Sequence, residues 1–229
     1  PAAGSGVTAF AFNSTTGVLE LAGSVSLSTW QTALRAVTYS SSSEDPTGTH
    51  SWSTRVVTFW ISDGDQVSSG VTRTIVVGPV TDVPVLAAVE ETVLNYTENG
   101  AAMVVSSSVT VFDADYIVDT HLDSAEASIA SGMQAGDVLA ANTSGTGVSA
   151  TFSSSDGVLY MSGSATVATW QSLLRSVTYS SSSEDPTGTQ QASSRVISIV
   201  ISDGNLTSTA VSRTVTVVPV NDVPVLADM

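Results

Sequence analysis

The sequence contains neither cysteine nor lysine, and its 229 residues include only six arginines. The absence of cysteine excludes disulfide bonds and thiol catalysis, so stability must come from the core or from a bound metal. The chain also has 21 acidic residues, and together with the six arginines they give a formal net charge of −15. A chain this acidic is a poor partner for nucleic acid and for anionic membranes, whereas it attracts divalent cations.

Long apolar runs are also absent. No stretch approaches the roughly 20 residues of a transmembrane helix, so we expect no membrane insertion. Charged residues make up only 12% of the chain, and serine, threonine, valine, alanine and glycine dominate. This composition is typical of β-rich proteins, and its apolar content is too high for disorder. The chain begins with Pro1 and shows no signal peptide, which predicts a processed chain or an excised piece.

The sequence repeats itself at an offset of 140 residues. Residues 37–49 are identical to residues 177–189. All six arginines form pairs at the same offset, which are Arg35 with Arg175, Arg55 with Arg195, and Arg73 with Arg213. Repetition on this scale indicates an array of whole domains rather than a solenoid of small motifs.

The repeat is incomplete in its first copy. Residues 1–86 match residues 141–226, so this copy has no counterpart of residues 87–140. We therefore predict a truncated domain at 1–86 (the first copy), a complete domain at 87–226 (the second copy) and the start of a linker at 227–229. Two explanations stay open. Either the chain was cut from a longer array, or the first copy borrows strands from a neighbour and otherwise exposes a sheet edge.

Strand patterns follow one another along the second copy. Alternation and turn signals predict strands over 89–95, 101–112, 146–153, 157–162, 195–202 and 206–218, and a weak strand over 125–130. Residues 116–123 have the pattern of a loop. Thr166 is a suitable N-cap for one short helix, which carries Trp170 as a core residue. The predicted fold class is all-β, with tandem Greek-key β-sandwich domains that each contain one short helix.

Catalytic patterns are sparse. No Gly-x-Ser-x-Gly, His-Glu-x-x-His or phosphate-loop motif occurs. His50 and His121 do not occupy matching positions of the repeat. Glu184 and Asp185 are adjacent, which places them poorly for paired acid and base catalysis. We therefore predict that the chain is not an enzyme.

Acidic residues gather at strand ends and in loops. Glu98 follows the first predicted strand, Asp113 and Asp115 end the second, and Glu184 and Asp185 precede a proline. Several oxygen ligands that converge at a domain junction suit calcium, although the spacing is not that of an EF-hand. Each acid taken singly is explained as well by a solvated turn, whereas the whole set favours a metal.

One motif closes both copies, reading PVTDVPVL at residues 79–86 and PVNDVPVL at residues 219–226. Its prolines cannot donate to a sheet ladder, so each motif marks the point at which the chain leaves a domain. Asp82 and Asp222 lie between the prolines. Two interpretations stay open, a cation site between domains and a plain linker in which aspartate favours a turn.

Several short motifs occur together in the second copy, namely YTENG at 96–100, DAD at 113–115, GDVL at 136–139, WQSLLRSVTYS at 170–180, SEDP at 183–186, SDG at 202–204 and VNDVP at 220–224. Together they resemble the cadherin-like tandem repeats of giant bacterial surface proteins and secreted adhesins. The resemblance covers the whole chain. It implies an extracellular β-sandwich repeat with calcium at its domain junctions.

The resemblance also implies a set of calcium ligands, since in cadherins an Asn-Asp linker, an early glutamate and an Asp-x-Asp of the following domain share ions. For the junction inside this chain the implied ligands are Asp82, Asp113 and Asp115. For the next junction they are Glu98, Asn221, Asp222 and either Glu184 or Asp185. Two departures weaken the first junction: Thr81 stands where the second copy has Asn221, and the first copy has no match to Glu98.

These observations predict an extracellular module of cell adhesion, a calcium-stiffened rod segment of a large cell-surface protein. Its partners would be neighbouring repeats or identical chains, and a cell-surface or matrix ligand. The alternative is a self-assembling filament subunit whose incomplete first domain is completed by a neighbouring chain. A carbohydrate-binding module fits less well, because Trp52 and Trp60 occur only in the first copy.

Overall fold

The computed structural model describes residues 6–48, 51–114 and 121–223. Strands dominate it and two short helices accompany them, which confirms the all-β class. The chain divides by internal contacts into two units, Pro1–Ser43 and Glu44–Met229. The sequence repeat instead divides the chain between residues 86 and 87, and the predicted linker at 227–229 lies outside the described residues.

The smaller unit, Pro1–Ser43, contains one short antiparallel pair and one helix. Strand β1 (Thr8–Ala9) pairs with β2 (Leu21–Ala22). Helix α1 (Leu27–Arg35) begins after Ser26, whose hydroxyl accepts a hydrogen bond from the Thr29 amide at 3.3 Å. A serine cap of this kind satisfies one of the amides that the first helical turn leaves unpaired.

The larger unit, Glu44–Met229, contains the remaining strands and helix α2. In chain order these are β3 (Ser53–Phe59), β4 (Val71–Val77), β5 (Val85–Ala87), β6 (Leu94–Thr97), β7 (Met103–Val104), β8 (Thr110–Phe112), β9 (His121–Ser131), β10 (Asp137–Ala140), β11 (Ser149–Ser153), β12 (Val158–Thr166), α2 (Val167–Leu174), β13 (Thr178–Ser181), β14 (Ser193–Ser202) and β15 (Val211–Val218).

Two sheets of the second copy pack on one apolar core. The larger sheet has the strand order β11-β12-β9-β14-β15-β6, and the smaller has the order β10-β13-β7. All neighbours are antiparallel except β15 and β6, which run parallel. The core residues alternate along both sheets, as strands with one buried face require, and include Tyr96, Leu139, Leu159, Tyr179, Ile197 and Val215.

Strand β9 is one of the two central strands of the six-stranded sheet, with β12 on one edge and β14 on the other. The predicted weak strand at 125–130 is therefore confirmed in position. The predicted loop is wrong for residues 121–123, because the ladder with β12 continues to the pair His121–Thr166. Two of the four buried residues of β9, Ala125 and Ala127, are alanines, which have little intrinsic strand preference, so burial between two neighbouring strands determines their conformation. The rest of the predicted loop lies outside the described residues.

The single strand predicted over 101–112 is wrong, because the structure divides it into β7 and β8. Between them the Ser106 hydroxyl accepts from the Val109 amide at 3.1 Å. The amide and hydroxyl of Ser107 both donate to Glu90 Oε1, at 2.9 and 2.8 Å. These side-chain hydrogen bonds offer the backbone an alternative to the ladder, and the strand breaks there.

Helix α2 covers the core at the end of β12. The Thr166 hydroxyl caps it by accepting from the Thr169 amide at 3.2 Å, as the sequence predicts. Trp170 is fully buried, and its indole Nε1 donates to the Leu122 carbonyl of β9 at 2.7 Å. Its predicted core role is confirmed. Among the described residues, no helix has the length and apolar character that a membrane span requires.

A buried ion pair connects the two sheets. Arg195 Nε of β14 lies 2.6 Å from Asp137 Oδ2 of β10, and neither side chain is exposed. The Tyr179 hydroxyl of β13 donates to Asp137 Oδ1 at 2.7 Å, and Arg195 also donates to the Pro186 carbonyl at 2.6 Å. Burial, followed by the hydrogen bond to Asp137, raises the pKa of Tyr179 above its usual value. The tyrosine therefore remains a donor, and the carboxylate is satisfied on both oxygens.

Candidate metal centre

The parallel pairing of β6 with β15 brings two chain segments to the same end of the larger sheet. The ladder pairs Val218 with Thr97, so both strands end side by side. The next residue, Glu98, donates its amide to the Val218 carbonyl at 3.0 Å. Its carboxylate then accepts from the Val220 amide at 2.7 Å. Glu98 is thus fixed against the exit segment that contains Asp222.

A tight turn holds Glu98 in this position. Asn99 has a positive φ of 58°, and the Gly100 amide donates to the Thr97 carbonyl at 2.9 Å. Asparagine tolerates the left-handed conformation better than most residues, which explains its place in the turn. The Asn99 side chain in turn donates from Nδ2 to Glu184 Oε2 at 3.3 Å. Asn99 therefore positions a second carboxylate beside the first.

Glu184 reaches the same place from the loop after β13. That loop is attached to β6 through Tyr96, whose hydroxyl donates to the Ser181 carbonyl and accepts from the Ser181 amide, both at 3.1 Å. Tyr96 also packs edge-on against Tyr179, with ring centroids 5.2 Å apart. These contacts fix the start of the loop three residues before Glu184.

Three carboxylates converge as a result, and we refer to Glu98, Glu184 and Asp222 as the exit cluster. One ligand oxygen from each lies within 4.8 Å of the other two. Glu98 is only 3% exposed, whereas Glu184 and Asp222 are open to solvent. Glu98 Oε1 is buried and has no hydrogen-bond partner among the described residues. A buried carboxylate oxygen without a partner is costly, and a bound cation would remove that cost.

The structure separates the two adjacent acids that the sequence left as alternatives. Glu184 joins the exit cluster, whereas Asp185 turns back into its own loop. Asp185 Oδ1 accepts from the Gly188 amide at 2.9 Å and from the Thr187 hydroxyl at 3.2 Å. Asp45 makes the equivalent hydrogen bonds in the first copy. The aspartate of this motif therefore stabilises a turn, and the glutamate beside it is free to bind a cation.

Two of the residues predicted for the internal junction, Asp82 and Asp113, lie elsewhere in the same unit. Strand β5 pairs with β8 so that Val85 faces Phe112. This register brings Asp82 and Asp113 towards the same end of the ladder, where Asp113 is almost fully buried. Neither belongs to the exit cluster. Asp115 lies outside the described residues.

Asn221 is exposed and directly precedes Asp222 in the exit segment. Two groups that the sequence analysis did not single out complete the surroundings of the exit cluster, the Asn99 side chain and the Val220 amide. Glu98-Asn99-Gly100 is a recognisable turn signal, so Asn99 was accessible to sequence reasoning. The Val220 contact depends on the parallel pairing of two distant strands, and no local pattern reveals it.

Comparison with known proteins adds little to this geometry. No protein-family model and no curated protein matches the chain. Among solved structures, the endo-fucoidan hydrolase MfFcnA4 of glycoside hydrolase family 107 is similar with a TM-score of 0.22 and 12% identity over 93% of this chain. A single-residue variant of that enzyme gives 0.19 and 12% over the same share. The chain spans about a quarter of the length of these structures, and a likeness this weak supports no conclusion about fold or function.

Proposed function

We propose that this chain is an extracellular structural and adhesive repeat module of the cadherin-like kind, which calcium stiffens where the chain leaves each domain. The observation that carries the proposal is the exit cluster, with the unpartnered buried oxygen of Glu98 at its centre. The cluster joins the body of the domain to the segment that leads out of it. An ion there would restrain the direction in which the chain departs.

The chemistry of the exit cluster favours calcium over magnesium. It offers carboxylate oxygens from three separate segments, and two of its side chains are exposed, so its geometry is irregular and adjustable. Calcium accepts six to eight oxygen ligands in flexible arrangements, whereas magnesium demands a near-ideal octahedron. Asn221 and backbone carbonyls of the exit segment would offer further oxygen atoms within the same stretch of chain. Without an ion, three carboxylates this close repel one another.

The mechanical role follows from the repetition. Glu98 belongs to the body of the domain, and Asp222 belongs to the Pro-flanked linker that closes each copy. Carboxylates that otherwise repel become ligands of a common ion, so the linker changes from mobile to restrained. Repeated at successive junctions, this change produces a rod that extends a surface protein away from the cell. No catalytic role is assigned to these residues.

Calcium binding at equilibrium tests the proposal. Isothermal titration of the chain should show a saturable site that Glu184→Gln weakens about tenfold or more, because a charged ligand is lost. Glu44→Gln is the matched control. It changes the same residue of the same motif in the first copy, which has no equivalent of Glu98. Equal losses in both variants, or no saturable site in the unmodified chain, would contradict the assignment.

The filament alternative is favoured by one observation, the exposure of first-copy residues whose second-copy counterparts are buried. Ile61 is 51% exposed and Ile201 is fully buried, although both directly precede the same Ser-Asp-Gly motif. Sedimentation of the chain at increasing concentration tests this alternative. A filament subunit forms polymers in buffer alone, whereas a rod segment remains monomeric.

A further inference from the structure

Two tryptophans lie at opposite ends of the hairpin formed by β3 and β4. Trp52 directly precedes β3 and Trp60 directly follows it, and their side chains are 75% and 59% exposed. Both lie at even-numbered positions and therefore on the same face of the strand, about 27 Å apart in an extended chain. The second copy has Ala192 and Val200 at these positions, so the two aromatic side chains are specific to this hairpin.

Each tryptophan faces a glycine on the neighbouring strand. The register of β3 with β4 places Gly78 opposite Trp52 and Gly70 opposite Trp60. A Cβ added at Gly78 would meet the six-membered ring of Trp52 at 2.9 Å, and one added at Gly70 would meet Trp60 Nε1 at 2.8 Å. Each indole therefore rests against bare backbone, close to the surface of the sheet. The second copy has valine and alanine at the two glycine positions, so tryptophan and glycine occur together at both ends of this hairpin and at neither end of the other.

The surface between the two tryptophans is rich in hydroxyl groups. The side chains on this face of the hairpin are threonine and valine, namely Thr54, Val56 and Thr58 of β3 and Thr72, Thr74 and Val76 of β4. All of them except Thr58 are exposed. We refer to these six residues and the two tryptophans as the aromatic face. Its side chains are all uncharged, although the chain has a net charge of −15.

The aromatic face corresponds to the solvent side of the sheet in the second copy. There the matching side chains of β14 include Ser194, which is exposed, and Val196, Ser198 and Val200, which are partly exposed. Strand β9 lies beside β14 in the same sheet and does not cover these residues. The openness of the aromatic face therefore follows from the alternation of side chains along the strand, and not from the neighbours that β3 has.

We propose that the aromatic face binds a neutral, linear polysaccharide of β-linked hexopyranose units, with one sugar ring stacked on each tryptophan. Sugar rings with equatorial hydroxyls carry C–H groups on their faces, and an exposed indole that rests on the sheet offers a matching apolar surface. The threonine hydroxyls between the tryptophans donate and accept hydrogen bonds with sugar hydroxyls. The net charge of −15 repels polysaccharides that carry sulfate or carboxylate groups, which selects a neutral ligand.

The arrangement of the aromatic face favours a polysaccharide over a protein partner. The dominant residues of a protein interface cluster near its centre and fill pockets of the partner. Here the two indoles lie at the two ends of the face, and each rests against its own hairpin. A linear polysaccharide engages both ends at once. The inference adds ligand recognition to the proposed structural role, and it does not depend on the calcium site.

Retention on insoluble polysaccharides tests the inference with the full chain. The probes are cellulose, chitin and β-1,3-glucan, which are neutral and β-linked, and the unmodified chain should bind at least one of them saturably. Trp52→Ala and Trp60→Val introduce the residues of the second copy, which this fold accommodates. Each change should weaken binding about tenfold, and the variant with both should not be retained. Trp30→Phe changes an indole outside the aromatic face, and as the matched control it should bind like the unmodified chain.

Soluble fragments of the retained polysaccharide distinguish one stacking position from two. A hexasaccharide should bind more tightly than a disaccharide, and either single variant should lose this advantage, because the two indoles then no longer act together. Trp52→Tyr and Trp60→Tyr keep an aromatic ring and should retain most of the binding. Glu184→Gln, which removes a ligand of the exit cluster, should leave polysaccharide binding unchanged, so failure of this inference is distinguishable from failure of the calcium site.

Several results would overturn the inference. One is retention of the unmodified chain on none of the three polysaccharides, and another is equal retention of the variant with both changes. Stronger binding to a sulfated polysaccharide than to any neutral one would contradict the predicted ligand class. Self-association in sedimentation that depends on Trp52 and Trp60, without retention, would instead identify the aromatic face as a contact between chains.

Discussion

Arg195 and Asp137 form an ion pair of 2.6 Å with neither side chain exposed, whereas Arg55, the counterpart of Arg195, donates hydrogen bonds to Ser53, Thr54 and Pro46 and forms no ion pair among the described residues. The two arginines therefore offer a comparison within one chain. Arg195→Met leaves a buried carboxylate without its cation and should lower the free energy of unfolding by about 3–5 kcal/mol. Arg55→Met removes no such pair and should cost less than about 1 kcal/mol. Urea denaturation of both variants measures the difference, and equal losses would show that the carboxylate does not determine the role of this position.

The two tryptophans of the helices make a second matched pair. Trp170 is buried and donates to the Leu122 carbonyl, whereas Trp30, its counterpart, is half-buried. Trp170→Phe should destabilise the chain by about 2–3 kcal/mol, since it removes volume from a closed core and a hydrogen bond to a buried backbone carbonyl. Trp30→Phe should cost less than about 1 kcal/mol. Thermal unfolding followed by circular dichroism distinguishes them, and a larger loss at Trp30 would contradict the core assignment.

Positions 60 and 70 carry a large and a small residue in the first copy and two residues of intermediate size in the second. We therefore expect substitutions at these two positions to have coupled effects on stability. Trp60 lies over Gly70, where an added Cβ would meet the indole Nε1 at 2.8 Å. The second copy has valine and alanine at these two positions, Val200 and Ala210. Gly70→Ala should therefore destabilise the unmodified chain more than the Trp60→Val background, in which only the contact of 2.8 Å between the added Cβ and Thr58 Cγ2 remains. A double-mutant cycle should give a coupling free energy of about 1 kcal/mol, and additive effects would refute the contact.

Glu90 predicts a dependence of stability on pH. Burial alone would raise its pKa, but hydrogen bonds from Ser106 and Ser107 outweigh burial and lower the pKa from 4.5 to about 2. The ionised form is therefore favoured in the folded state. Its contribution is fully present above pH 4.5 and is lost as the pH falls towards 2. After allowance for solvent screening, it amounts to about 1 kcal/mol.

The control for this prediction is a substitution of the neighbouring exposed residue, Glu91. Glu90→Gln should remove about this amount of stability at pH 6 and flatten the decline between pH 4.5 and pH 2. Glu91→Gln should leave the decline as it is in the unmodified chain. Urea midpoints measured at several pH values provide the comparison, and an unchanged slope in the Glu90 variant would contradict the assignment.

Local sequence signals predicted those parts of the fold that local interactions determine. The cap at Thr166 is set by residues three positions apart, and the structure has it. The sequence predicted β9 as a shorter and weaker strand than the structure has, because its alanines carry little strand preference. Its conformation depends on burial between β12 and β14. The break at Ser106 was missed because it depends on a contact with Glu90, 16 residues earlier.

The same distinction applies to the exit cluster. The type and position of Glu98, Glu184 and Asp222 were predictable, because the resemblance pairs an early glutamate with a linker aspartate. The choice between Glu184 and Asp185 was not, since it depends on which acid forms the hydrogen bonds of its own turn. The unpartnered oxygen of Glu98 depends on burial against a distant strand end, which sequence spacing does not encode.

Thermal unfolding of the unmodified chain and of Glu98→Gln, each in calcium and in excess chelator, tests the calcium site most directly. Calcium should raise the Tm of the unmodified chain by several degrees, because it binds only the folded state. Glu98→Gln should not respond to calcium. In chelator it should be at least as stable as the unmodified chain, because it replaces a buried carboxylate oxygen that has no partner. A Tm of the unmodified chain that is the same in calcium and in chelator would contradict the account.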